Sequence, residues 1–225
     1  LGLAGGYTYS RVSSSDGGSG TLESPRGLVY GSWELGSWAV DGSVGYAYNS
    51  IESGRSTSTG TAMNNHNAHE FSANAQLRRG IDVIGLSVVP AAGLRYMRVT
   101  EDAYTETGAG GNNLTVHERT VESLHPFVGV SVAQAIATEE GSFWVPRIEL
   151  EYSREVWNTP DGVVSVGGGT FTSAGNNPSR DKVTLGLGLG VQYDSGLSLD
   201  AAYNVTLPTG NSVQHSLTAK LRYEF

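Results

Sequence analysis

The sequence predicts an all-β protein: a transmembrane antiparallel up-and-down β-barrel of about ten strands. Three observations predict it. Apolar residues recur with period two, the apolar faces end in aromatics, and the connections alternate between short turns and long polar segments.

The period is clearest near the end. Val213, Leu217, Ala219, Leu221, Tyr223 and Phe225 share one parity, while Gln214, Ser216, Thr218, Lys220, Arg222 and Glu224 share the other. In a strand the two parities are opposite faces. The same alternation marks Trp38–Tyr48, Phe71–Leu77, Ile148–Tyr152, Val183–Tyr193 and Leu197–Val205. The second face is small or polar in strand after strand. Tyr46, Tyr48, Tyr96, Tyr152, Tyr193, Tyr203, Tyr223 and Phe225 close the apolar faces, as in the girdles of a lipid-facing barrel.

Ten strands follow in order: Gly2–Ser10, Gly27–Leu35, Trp38–Ser50, Ala68–Arg78, Val83–Thr100, Leu114–Thr138 (with a break expected at Pro126), Ser142–Val156, Lys182–Tyr193, Leu197–Val205 and Val213–Phe225. Short turns fall at Leu35–Ser37, Arg79–Asp82, Glu139–Gly141 and Asp194–Gly196. Long polar segments fall at Arg11–Arg26, Ile51–Asn67, Glu101–Asn113 and Trp157–Arg180, with a shorter one at Thr206–Ser212. This places the short turns on a periplasmic rim and the long loops outside. The whole of 1–225 reads as a single domain.

Composition agrees. The 225 residues include 31 glycines, no cysteine, 14 Lys plus Arg and 22 Asp plus Glu, for a net charge of −8. Without cysteine there is no disulfide, thiolate metal site or cysteine nucleophile. A net negative chain is poorly suited to gripping nucleic acid through phosphates. A mean hydropathy of −0.22 does not exclude a barrel, whose strands average near zero.

Several side-chain groups suggest chemistry and have plainer readings. His66-Asn67-Ala68-His69-Glu70 has metal-ligand residue types, but two His must converge on one ion, and the segment reads as a polar outer loop. Glu149 and Glu151 with Arg147 are a candidate acid–base pair. The favoured reading is a polar lumen lining in which charges pair across strands, with Arg95 or Arg78 as partners. Gly186-Leu187-Gly188-Leu189-Gly190 places glycine on the polar face of a tightly curved wall, leaving room for a narrow lumen or a plug. No metal and no cofactor is called for.

Val89-Pro90-Ala91-Ala92-Gly93-Leu94-Arg95-Tyr96, then Tyr104-Thr105-Glu106-Thr107-Gly108, Leu114-Thr115-Val116, Leu124, Val128-Gly129-Val130, Pro146 before Ile148-Glu149-Leu150, and the terminal Leu221-Arg222-Tyr223-Glu224-Phe225 resemble the autotransporter β-domain, the translocator of type V secretion. The resemblance implies a bacterial outer-membrane barrel, set in outer-membrane lipid, that exports or anchors its own N-terminal passenger. It also implies assembly by the barrel assembly machinery, recognised through Leu221, Tyr223 and Phe225, and a hydrated lumen carrying Arg95, Arg147, Glu149 and Glu151. The family has twelve strands after a pore helix, so the helix and first two strands are expected to lie outside this sequence. Lys220 stands where the family's end signal often has glycine. The alternatives are an omptin-like or lipid-modifying barrel enzyme, using residues such as Asp102, Asp161, Asp181, His66 and His69, and a soluble ligand-binding β-sandwich.

Overall fold

The computed structural model describes residues 1–14, 17–138, 142–157, 162–166, 169–173, 180–208 and 213–223. The strands are β1 (Gly2–Ser13), β2 (Ser19–Leu35), β3 (Trp38–Thr57), β4 (Gly60–Arg79), β5 (Ile81–Val83), β6 (Leu86–Glu101), β7 (Tyr104–Thr105), β8 (Thr115–Val116), β9 (Arg119–Ala133), β10 (Ile136–Ala137), β11 (Ser142–Arg154), β12 (Gly162–Val166), β13 (Gly169–Ser173), β14 (Asp181–Tyr193), β15 (Leu197–Pro208) and β16 (Gln214–Tyr223). One 3-10 turn spans Gly110–Asn112. No helix among the described residues is long and apolar enough to cross a membrane, which does not bear on strands.

Ten strands form one path, β1-β2-β3-β4-β6-β9-β11-β14-β15-β16, antiparallel at every step. The sheet curls as a barrel wall does. Among the described residues its end strands, β1 and β16, do not pair with each other.

The two faces are inverted relative to a water-soluble fold. One face carries exposed Val40, Val44, Tyr46, Leu94, Val128, Ile148, Leu185, Leu187, Tyr203 and Leu217, the last 79% exposed. The register aligns these positions across neighbouring strands, as in Val44↔Ala73 and Leu187↔Tyr203. The opposite, inward parity holds most of the buried residues of the wall, and these are mainly small or polar: Ser24, Ala39, Ala47, Asn49, Ala62, His66, Ala68, Ser123 and Ser153, with the large apolar Phe127 among them. A large apolar outside and a small polar inside are stable when hydrocarbon is the outer solvent.

Some boundaries differ from the sequence reading. The predicted long loops Arg11–Arg26 and Ile51–Asn67 are mostly strand. β1 and β2 pair up to Ser13↔Ser19, and β3 and β4 pair up to Thr57↔Gly60. β3 and β4 are 20 residues each, whereas about 9–11 cross a bilayer. Above the lipid both faces of a strand are wet, so polar residues lose their alternation while the backbone ladder continues. Parts of the predicted loops Glu101–Asn113 and Trp157–Arg180 join the start of the predicted sixth strand Leu114–Thr138 in a second small sheet, β13-β12-β8-β7, so that strand enters the wall only at Arg119. Pro126 does not break β9. It pairs opposite Leu94 of β6, and the regular β9–β11 ladder ends one residue away, at Phe127↔Ser153, where the missing N–H is least needed.

The expected Arg79–Asp82 turn is shifted. The tight turn is Ile84-Gly85, between Val83 and its partner Leu86. Both residues have positive φ, 53° and 78°, as a type I′ hairpin turn requires. Ile84 is β-branched and fully exposed, so its left-handed backbone is strained without compensating contacts. Ile84→Asn should raise stability by about 1 kcal/mol, measured as the urea midpoint of unfolding in micelles.

Candidate functional site

The inward face is organised by charge. Arg95 on β6 donates both terminal nitrogens to Glu151 on β11, each at 2.6 Å, across the intervening strand β9. The β9 residue opposite Glu151 is Gly129. A Cβ there would stand 3.0 Å from the Leu150 carbonyl and 3.5 Å from the Glu151 side chain. Phe127 lies over Gly93, where a Cβ would meet its ring at 2.7 Å, and the Arg95 guanidinium stacks 4.0 Å above the Phe127 centroid. Glycine thus provides the floor, phenylalanine covers it, and arginine is held flat against the aromatic face.

The same device recurs two strands on. Arg147 on β11 reaches over β14 to Asp200 on β15, at 3.1 and 3.3 Å. Its path crosses Gly188, where a Cβ would lie 2.8 Å from Arg147 Nη2. Arg147 Nε also lies 2.7 Å from Glu149, an ion pair whose N–H is not aimed along the line of contact. A third pair joins Arg78 to Asp41 at 2.7 Å, with Gln76 donating to the same carboxylate at 2.9 Å.

The four expected lining residues, Arg95, Arg147, Glu149 and Glu151, therefore share one face in two linked clusters. Arg95 is a partner of Glu151, as the sequence suggested. Arg78 is not, because Asp41 on the adjacent strand holds it. Sequence reasoning missed Asp41 and Asp200 as partners, although both sit on the polar parity of their strands. It also gave the glycines only a space-making role, whereas Gly188 lets one charge reach another.

Toward the long-loop rim, His66 is buried. It lies 2.8 Å from Glu101, 2.9 Å from Asn64 Oδ1, and stacks on Tyr104 at 4.1 Å. Arg119 also pairs with Glu101. Arg55 forks onto Glu106 at 2.9 and 2.6 Å, and Glu106, 5% exposed, also accepts the Leu114 N–H. Burial alone would raise the Glu106 pKa, but the Arg55 and Leu114 hydrogen bonds outweigh it and hold the carboxyl below its ordinary range. These contacts seat the β6–β9 loop on the tip of β3–β4.

His66 is thus part of strand β4, which corrects the reading of a solvated loop. His69 lies on the opposite face and shares a 2.6 Å hydrogen bond with Tyr46, so the two His do not converge. The proposed catalytic group does not assemble either. His66 faces Glu101, Asp181 accepts from Tyr152 at 2.5 Å, and Asp102 uses its backbone N–H on Asn67. Asp161 lies outside the described residues. Ser123, Glu155 and His125 do meet, but Ser123 donates to Glu155 rather than to the His, which is not the order of a Ser–His–carboxylate triad.

In the end segment, Leu221 pairs with Leu199 and Tyr223 with Leu197, both on the outward parity. Phe225 lies outside the described residues.

An outward apolar wall around an inward face of paired charges defines a membrane β-barrel domain. The autotransporter beta-domain family matches residues 1–204. The chain belongs to that family and is an outer-membrane protein of bacteria. Among solved structures it is similar to the translocator domain of the autotransporter NalP from Neisseria meningitidis, with TM-score 0.79 and 19% identity over 99% of this chain and 74% of that one. It is also similar to the beta domain of the Bordetella autotransporter BrkA, with TM-score 0.76 and 17% identity over 99% and 82%. Outer membrane protein B of Rickettsia rickettsii is 26% identical over 144 residues, 63% of this chain but 9% of that protein, so this chain spans about a tenth of its length.

If Gly188 is what lets Arg147 reach Asp200, Gly188→Val should destabilise the refolded barrel by about 1–3 kcal/mol. Adding Asp200→Asn should then cost little more, as read from the unfolding midpoints of the two single variants and the double variant.

Proposed function

We propose that residues 1–225 act as one barrel domain that anchors an N-terminal passenger in the outer membrane and serves its export to the surface. The observation that carries this reading is the inversion of the two faces. Hydrocarbon is matched outside by Leu, Val and Tyr, while the inside offers small and charged groups that a hydrated chain can slide past without sticking. The charges Arg95, Arg147, Glu149 and Glu151 keep that passage wetted, and their pairing keeps them from trapping a passing segment. In lipid every strand edge needs a partner, so the working wall closes over the outer edges of β1 and β16.

In this reading the partners are outer-membrane lipid, the barrel assembly machinery and the passenger. The work is mechanical, with no catalytic residue, cofactor or nucleic acid involved. Leu221, Tyr223 and Phe225 are the residues through which the assembly machinery recognises the chain. Leu221 and Tyr223 support this role by presenting side chains outward from the last strand, 71% and 57% exposed.

The test is a passenger fused at the N-terminus and expressed in a Gram-negative host. Changing Tyr223 and Phe225 to Ala should reduce protease-accessible passenger at the surface at least several-fold, with the protein retained in the periplasm. Undiminished surface display would remove those residues from the assembly signal.

A further inference from the structure

Five hairpins turn at the long-loop rim: β1–β2, β3–β4, β6–β9, β11–β14 and β15–β16. On the outward face of each, a tyrosine of the first strand meets a polar side chain of the second, two residues short of its own cross-strand partner. Tyr7 interacts with Glu23 and pairs with Pro25. Tyr46 meets His69 at 2.6 Å and pairs with Phe71. Tyr96 donates to Glu122 at 2.8 Å and pairs with Leu124. Tyr152 donates to Asp181 at 2.5 Å and pairs with Val183. Tyr203 meets His215 at 2.7 Å and pairs with Leu217. The diagonal is the same each time. The rings thus form a collar whose hydroxyls point to the rim, at the height where amphipathic rings meet lipid headgroups.

Two adjacent members of the collar add a cation. Arg98 stands opposite Glu122, and Arg154 stands opposite Asp181, each two residues beyond its tyrosine. Trp157 packs edge-on against Tyr96, centroids 5.6 Å apart. Arg154 is 55% exposed and only 3.8 Å from Asp181. Arg98 is exposed too, and among the described residues no ion pair holds it. Just below, Val128 and Leu150 offer exposed apolar surface.

We propose that this strip, from β6 to β14, binds the phosphorylated headgroup of an outer-leaflet glycolipid. Arg98 and Arg154 fork onto phosphate oxygens, and the acyl chains lie on Val128 and Leu150. Charge complementarity selects the occupant. Two guanidiniums face outward at headgroup height on a chain of net charge −8, and arginine's planar fork suits phosphate. Glu122 and Asp181 also face this strip. Each accepts a hydrogen bond from a tyrosine hydroxyl, and the two exposed guanidiniums stand beside them on the same face.

The probe is diphosphorylated lipid A added to the refolded protein in dodecyl maltoside, with bound adducts counted by native mass spectrometry. The expected result is retention by the wild type, and loss of at least about ten-fold in apparent affinity for Arg98→Gln with Arg154→Gln. Arg79→Gln should not change retention. Arg79 also faces outward, but at the opposite rim over Trp38. Equal loss in the Arg79 variant, or no loss in the double variant, overturns the site. The unboiled, fast-migrating gel band reports folding and barrel formation separately from lipid binding. Should the double variant not fold, the wild type alone decides. Lipid A stripped of both phosphates must bind no better than phosphatidylcholine, and equal binding of the stripped and intact lipids contradicts the proposal. Displacement of lipid A by an equimolar amount of inorganic phosphate overturns it as well, by showing a simple anion site.

Discussion

Hydrocarbon offers the chain no hydrogen-bond partners, and the rest of the structure follows from that. Each strand that crosses it must satisfy its backbone on its neighbours and turn apolar side chains outward. An alternating strand in an antiparallel sheet meets both demands at once. Leu185, Leu187 and Leu189 show the outcome on β14, exposed on one face while Gly186, Gly188 and Gly190 occupy the other.

The inner face inherits a second problem. It must be polar enough for water, yet an unpaired charge there is costly. The solution is to let long side chains cross strands. Arg95 reaches Glu151 over β9, and Arg147 reaches Asp200 over β14. The Arg147 crossing needs a backbone position with no side chain, and Gly188 provides it, while Arg95 passes over the Phe127 ring, which itself lies on Gly93. Glycine here does not loosen the strand. It sets where one charge can touch another.

This explains what the sequence could and could not show. Alternation is local, so the ten strands, their order and the outward parity were legible, down to Tyr46 and Leu217. Strand ends were not, because β3 and β4 continue above the lipid where alternation stops carrying information. Pairing was only partly legible. Arg95 with Glu151 followed from shared parity, but Arg78 was set against the same carboxylates, and the register places it beside Asp41 instead. His66 was misread for the same reason. A polar run in sequence became a buried strand once Tyr104 and Glu101 packed on it.

The account rests on the assignment of the two faces, and the absence of cysteine makes that directly measurable. Single cysteines would be placed at Ala201, Ala202, Tyr203 and Asn204 of β15, and the protein refolded into liposomes. A membrane-impermeant thiol reagent should label Ala202→Cys and Asn204→Cys, which face inward, and spare Ala201→Cys and Tyr203→Cys, which face lipid. Equal labelling of all four, or the reverse pattern, would contradict the inverted barrel.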